Sequence, residues 1–294
     1  LQLVETHFNS LTAENELKWG RIHPEPGVYN FKPADRFVDF AEKNGMDIIG
    51  HCLLWHSQTP DWVFEDADGN PTVRDTLLQR MRDHIHTVAG RYKGRIQCWD
   101  VINEPIGDDG QLRKTKWTEI IGEDFYEKAF EFAREADPDA MLILNDYSLP
   151  NPEKRDCMVK LVRDLQSKGI QVDGVGMQGH YLLDYPDMSE LEARIVAFAE
   201  TGVRVMITEV DIDVLPQADF NRGADVNMTA EYRAEINPYT DGLPDSVALV
   251  LADRYGDMFY VFVKHAVKID RVTFWGVYDG HSWKYNWPVP GRTN

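Results

Sequence analysis

Short apolar runs and amphipathic stretches alternate along the whole 294-residue chain, and that alternation restricts its fold more than any other feature. The runs are Phe8–Ala13, Asp47–Leu54, Ile96–Asn103, Ala140–Asn145, Gly174–Gln178, Val203–Thr208 and Val272–Val277. Each has strand length, and most are rich in β-branched residues. Between them the spacing predicts helices. Pro33–Asn44 has Pro in its first turn and Gly45 just past its end. Asp75–Arg91 carries Leu77, Leu78, Met81, Ile85 and Val88 on one face. Glu123–Ala136 stops before Asp137-Pro138, Pro152–Lys168 is closed by Gly169, Ser189–Thr201 by Gly202, and Asp253–Val267 follows. Strand and helix in alternation build an α/β fold on a parallel sheet. A unit of about 35 residues points to a closed (β/α)8 TIM barrel. The open, doubly wound alternative wants a Gly-rich phosphate loop after an early strand, and none is present.

Two of the runs lead straight into a glutamate. IQCWDVIN meets Glu104, and VRVMIT meets Glu209. A carboxylate is costly to bury, so an acid at the end of a buried strand is poorly explained by packing. Two of them at equivalent strand ends suggest paired carboxylates facing one pocket, the machinery that cleaves a glycosidic bond. Buried acids neutralised by Arg or Lys are the plainer alternative.

In a barrel the site lies at the C-terminal strand ends. Those ends supply Glu14, Asn15 and Lys18; His51, Trp55, His56 and Gln58; Asn103 and Glu104; Asn145, Asp146 and Tyr147; Gln178 and His180; Glu209 and Asp211; and Trp275, Tyr278 and Trp283. Hydroxyl-bonding groups, two acids and several indoles together suit carbohydrate, and the chain's eight tryptophans exceed what a core of this size needs. The net charge of −18 disfavours nucleic acid and anionic membranes as partners. No run of about 18 apolar residues exists, so no membrane insertion is expected. Cys52 and Cys98 read as small buried hydrophobes, and neither Cys nor His shows zinc-ligand spacing. No metal and no cofactor are expected.

The stretches FNSLTAENELKW, GHCLLWHSQTPDW, WDVINEP, LNDY, GVGMQGH, ITEVDI and FWGVYDGHSW resemble, in order and spacing, the catalytic domain of glycoside hydrolase family 10, the endo-1,4-β-xylanases. The resemblance spans nearly the whole chain. It implies an eight-stranded barrel, a retaining double-displacement mechanism, and xylan or xylo-oligosaccharides as substrate. Position by position it implies Glu104 as acid/base and Glu209 as nucleophile. Asn103, His180 and Asp211 support them. Glu14, Asn15, Lys18, His51, Trp55, Gln58, Gln178, Trp275 and Trp283 hold sugar on the non-reducing side, and Tyr147 is an aromatic platform on the reducing side. It further implies a secreted, cell-surface or periplasmic protein, here expected to be a monomer. A retaining pair needs its carboxyl groups about 5–5.5 Å apart. Repulsion from Glu209 is expected to help keep Glu104 protonated.

Against the eight-stranded pattern only seven runs are counted. The expectation is one catalytic domain over 1–294 whose first strand would precede residue 1 and whose last helix would follow residue 294. The stretch between Asp213 and Asp253 reads as an insertion beside the nucleophile strand. A β-glucan hydrolase using the same acids, a non-catalytic carbohydrate binder and an interaction protein remain the alternatives at this stage.

Overall fold

The apolar runs become the wall of a parallel barrel. The computed structural model describes residues 1–216 and 236–285. In chain order the elements are α1 (Gln2–His7), β1 (Ser10–Thr12), α2 (Trp19–Ile22), α3 (Lys32–Lys43), β2 (Asp47–Gly50), β3 (Leu54–Trp55), α4 (Arg74–Arg91), β4 (Cys98–Asn103), α5 (Lys116–Ile121) and α6 (Phe125–Ala136). They continue as β5 (Met141–Asp146), α7 (Pro152–Ser167), β6 (Gly174–Met177), β7 (His180–Leu182), α8 (Met188–Ala199), β8 (Arg204–Asp213), α9 (Asp245–Lys264) and β9 (Ile269–Phe274).

The wall runs β1-β2-β4-β5-β6-β8-β9, and every neighbouring pair is parallel. Two short strands extend it at the rim: β3 pairs with the end of β4, and β7 with the end of β8. Inside, Ile49 of β2, Cys98 of β4, Ile143 of β5 and Met206 of β8 form a small apolar plug. The larger core lies between wall and helices, where Leu77, Met81, Ile85 and Val88 of α4 are fully buried. As the sequence reading expects, seven wall strands are present among the described residues. Among the described residues no ladder joins β9 to β1, so the barrel is nearly closed. Its two edges differ from its middle: β4 is buried throughout, whereas no residue of β9 is.

Several boundaries differ from the sequence reading, for physical reasons. The run Asp47–Leu54 splits into β2 and β3, because the chain leaves the ladder at His51 and rejoins it at Leu54 opposite Ile102. β8 extends to Asp213, since β7 gives it a partner beyond the end of β6, so Glu209 lies within a strand rather than past one. β9 begins three residues before Val272. α5 is a short additional helix before α6, started by a capping box between Thr115 and Thr118. α9 starts at Asp245 rather than Asp253, so the end of the supposed insertion is helical. Residues 217–235 of that insertion lie outside the described residues.

Candidate active site

The strand ends deliver the polar groups to one mouth, and a continuous chain of side-chain hydrogen bonds ties the two glutamates together. Gln178 Nε2 donates to Glu104 Oε1 at 3.2 Å and lies 3.4 Å from Asn103 Oδ1. Asn145 Nδ2 donates to the same Asn103 oxygen and to Glu209 Oε1, both at 2.9 Å. Thr208 Oγ1 donates to Asn145 Oδ1 at 2.7 Å, which fixes the way the Asn145 amide points. Space for this lattice depends on Gly176 of β6: a Cβ there would stand 2.4 Å from Asn145 Oδ1.

Glu104 follows the last residue of β4 with φ of 56°, a left-handed conformation uncommon outside glycine. Three bonds hold it there. Its amide donates to the Asn145 carbonyl at 2.7 Å, and Arg113 Nε donates to its own carbonyl at 2.9 Å. Trp55 Nε1 donates to Oε2 at 2.9 Å. Burial pushes the carboxyl up to about 7, and the charge of Asp146 adds to the rise against the pull of Trp55, Gln178 and Arg113. The repulsion expected from Glu209 is not among the main causes; the buried acid of β5 takes that role. Asp146 is itself paired with buried Lys154 at 2.9 Å and accepts the Ile106 amide.

Glu209 stands in β8, its amide donating to the Gln178 carbonyl. Burial alone would push its carboxyl up, but His180, His51 and Asn145 outweigh burial and hold it below the ordinary 4.5. His180 Nε2 lies 3.2 Å from Glu209 Oε2, and its Nδ1 lies 2.9 Å from Asp211 Oδ2. Burial opposes the imidazolium, yet Asp211 and Glu209 between them push it up to about 9, so His180 is a cation at neutral pH.

The remaining sequence-derived residues surround this pair. Lys18 Nζ donates to Asn15 Oδ1 at 3.2 Å and stands 5.1 Å from the Trp55 ring. His51 Nδ1 is 2.7 Å from Asp100 Oδ2, and its ring meets Trp275 edge-on at 5.4 Å. Trp283 Nε1 donates to Asp211 Oδ2 at 2.9 Å, with its ring 5.0 Å from that of His180. Tyr147 donates to Asp108 and accepts Arg113 Nη2 at 3.0 Å. Glu14 and Gln58 are exposed at the same strand ends. Trp55 plays a second part beside any sugar contact, since its indole N–H is bound to the acid. Arg113, Lys154 and Lys284 were not singled out from sequence; each sits in a polar stretch with no signal of its own, and only the fold turns it inward. Among the described residues no three His, Cys, Asp or Glu side chains are grouped to hold a metal ion.

The model of glycosyl hydrolase family 10 matches residues 1–293. Endo-1,4-beta-xylanase A of Xylanibacter ruminicola is 45% identical over 291 residues, which are 99% of this chain and 79% of that protein. The structure of a family 10 endoxylanase from a sugarcane soil metagenome superposes with a TM-score of 0.96 at 46% identity, covering 100% of this chain and 85% of that one. An intracellular xylanase from Thermoanaerobacterium saccharolyticum, solved as a mutant in complex with xylotetraose, gives a TM-score of 0.84 at 37% identity, covering 96% and 82%.

Proposed function

The chain belongs to glycosyl hydrolase family 10 and catalyses retaining hydrolysis of internal β-1,4 bonds of xylan, and from that premise we propose Glu209 as its nucleophile and Glu104 as its general acid and base. What carries the assignment is a geometry that pushes the carboxyls of two buried acids in opposite directions while joining them through Gln178, Asn103 and Asn145. In the first step Glu209, ionised, attacks the anomeric carbon. The bond from that carbon to the leaving oxygen breaks, and Glu104, protonated by virtue of its burial, gives that oxygen its proton. In the second step Glu104, now a carboxylate, takes a proton from water as the water oxygen attacks the same carbon and the ester bond to Glu209 breaks. Asn145 and His180 fill both oxygens of Glu209 in the free enzyme, so the carboxylate waits oriented and ionised. Two inversions return the β-anomer. Proton NMR during hydrolysis of xylo-oligosaccharides is expected to show β product first, and initial α product would overturn the assignment.

We further read residues 1–294 as one catalytic domain acting as a monomer outside the cytoplasm, since a polysaccharide reaches an enzyme only where both share a compartment. Sedimentation and assay of culture fractions test those two statements. The sugar-binding roles of Glu14, Asn15, Lys18, His51, Trp55, Gln58, Gln178, Trp275, Trp283 and Tyr147 are supported by their convergence on this mouth.

A further inference from the structure

Lys284 is a buried cation with no part in the two-step reaction. Its residue is only 7% exposed, and its Nζ stands 2.8 Å from Asp211 Oδ1. Trp283 and His180 occupy the other oxygen of that carboxylate, each at 2.9 Å. His180 in turn reaches Glu209 at 3.2 Å. The result is a row of alternating charges, Lys284, Asp211, His180, Glu209, that runs from the loop after β9 to the nucleophile. A lysine is expensive to bury, and Asp211 already has a cationic partner in His180, so a packing role alone explains Lys284 poorly.

We propose that Lys284 is a positioning residue for the nucleophile: by holding Asp211 Oδ1 it aims the other carboxylate oxygen at His180 and limits how tightly Asp211 holds the imidazolium that faces Glu209. The proposal rests on the reading of Glu209 as the nucleophile. Two effects follow. The positive charge of Lys284 stabilises ionised Glu209, and its claim on Asp211 makes His180 less basic than a simple His–Asp pair would be. Other titratable groups facing the row are His51 with Asp100 on the β2–β4 side, Glu104 across the mouth, and Tyr255 of α9 with Asp279 beside Asp211. None of them lies between Lys284 and Asp211.

The test compares Lys284→Met and Lys284→Arg with the parent enzyme on an aryl β-xylobioside with a poor leaving group, whose departure needs a proton. Lys284→Met is expected to lower kcat roughly tenfold, short of the hundredfold that a misplaced reacting group costs. The acid limb of the kcat/KM profile is expected to move to higher pH by about half a unit, because Glu209 loses a neighbouring cation. The basic limb, set by Glu104 on the other side of the mouth, stays in place. The His180 imidazole, followed by nitrogen NMR, titrates at higher pH. Lys284→Arg restores the acid limb. An acid limb and His180 titration both unmoved in folded Lys284→Met, or an equal shift in Lys284→Arg, would overturn the proposal. Should Lys284→Met fail to fold, Lys284→Gln provides the uncharged comparison. Trapping of a 2-fluoroxylobiosyl ester on Glu209 in the parent enzyme tests the underlying nucleophile reading separately.

Discussion

Glu104, just past the end of β4, and Glu209, within β8, are almost equally buried, at 7% and 4% exposure, yet their carboxyls are pushed in opposite directions. The difference lies in who faces them. Glu104 is bonded by neutral donors, the Trp55 indole and the Gln178 amide, and lies in the field of Asp146. Glu209 is bonded by an imidazolium and an amide, with a second histidine nearby. Burial supplies the same penalty to both. Arg113 offsets only part of it at Glu104, whereas His180, His51 and Asn145 outweigh it at Glu209, so the first carboxyl is pushed up to about 7 and the second is held below the ordinary 4.5. Two residues of one type acquire opposite shifts from their neighbours.

The comparison can be broken most severely at Glu209. On the proposed assignment Glu209→Gln removes the nucleophile, and activity on xylan and on activated aryl xylobiosides alike is expected to fall by at least about 10⁴-fold. Glu104→Ala should separate the two substrate classes: kcat/KM on xylan falls by roughly 10²–10⁴-fold, while an aryl xylobioside with a good leaving group retains most of its kcat/KM because its first step needs no proton. Equal losses on both classes would contradict the division of roles. A finer test replaces the buried charge pair behind Glu104. Asp146→Asn combined with Lys154→Met removes the anion without stranding the lysine. The acid's affinity for its proton then weakens, and the basic limb of kcat/KM, near 7 in the parent by the position of Glu104, should move to lower pH by roughly one unit. The smallest effect is expected from Trp55→Phe. It deletes a donor that favours the charged form of Glu104, so the basic limb should rise by a few tenths of a unit. Titration of both profiles against the same substrate settles the sign of each shift.

Much of this site was legible in the sequence because its signals are anomalies. An acid ending an apolar run is conspicuous, and so is a set of amide, imidazole and indole side chains repeated at strand ends. Glu104, Glu209, Asn103, Gln178 and His180 are therefore found together where the reading expects them. Arg113, Lys154 and Lys284 were not visible. They occur in QLRKTKW, NPEKRD and HSWKYN, where a basic residue is unremarkable, and each is turned to its partner only by the packing of loop or helix on the sheet. The start of α9 is hidden for a different reason: Val247 to Ala252 is a continuous apolar run with no helical period, and only the fold separates Leu251, which packs against the core, from Leu249 and Val250, exposed at 67% and 50%.

By itself the sequence determined the parallel α/β architecture, seven of its wall strands, and the two acids at the mouth. Those depend on local periodicity and on the cost of burying charge, both readable residue by residue. Only the tertiary structure decided which carboxyl is pushed up and which is held down, which anion does the raising, and which cations stand behind Glu209. Each of these is set by a Coulombic or hydrogen-bonding distance between residues tens of positions apart, and such distances exist only once the wall is curled and its loops meet.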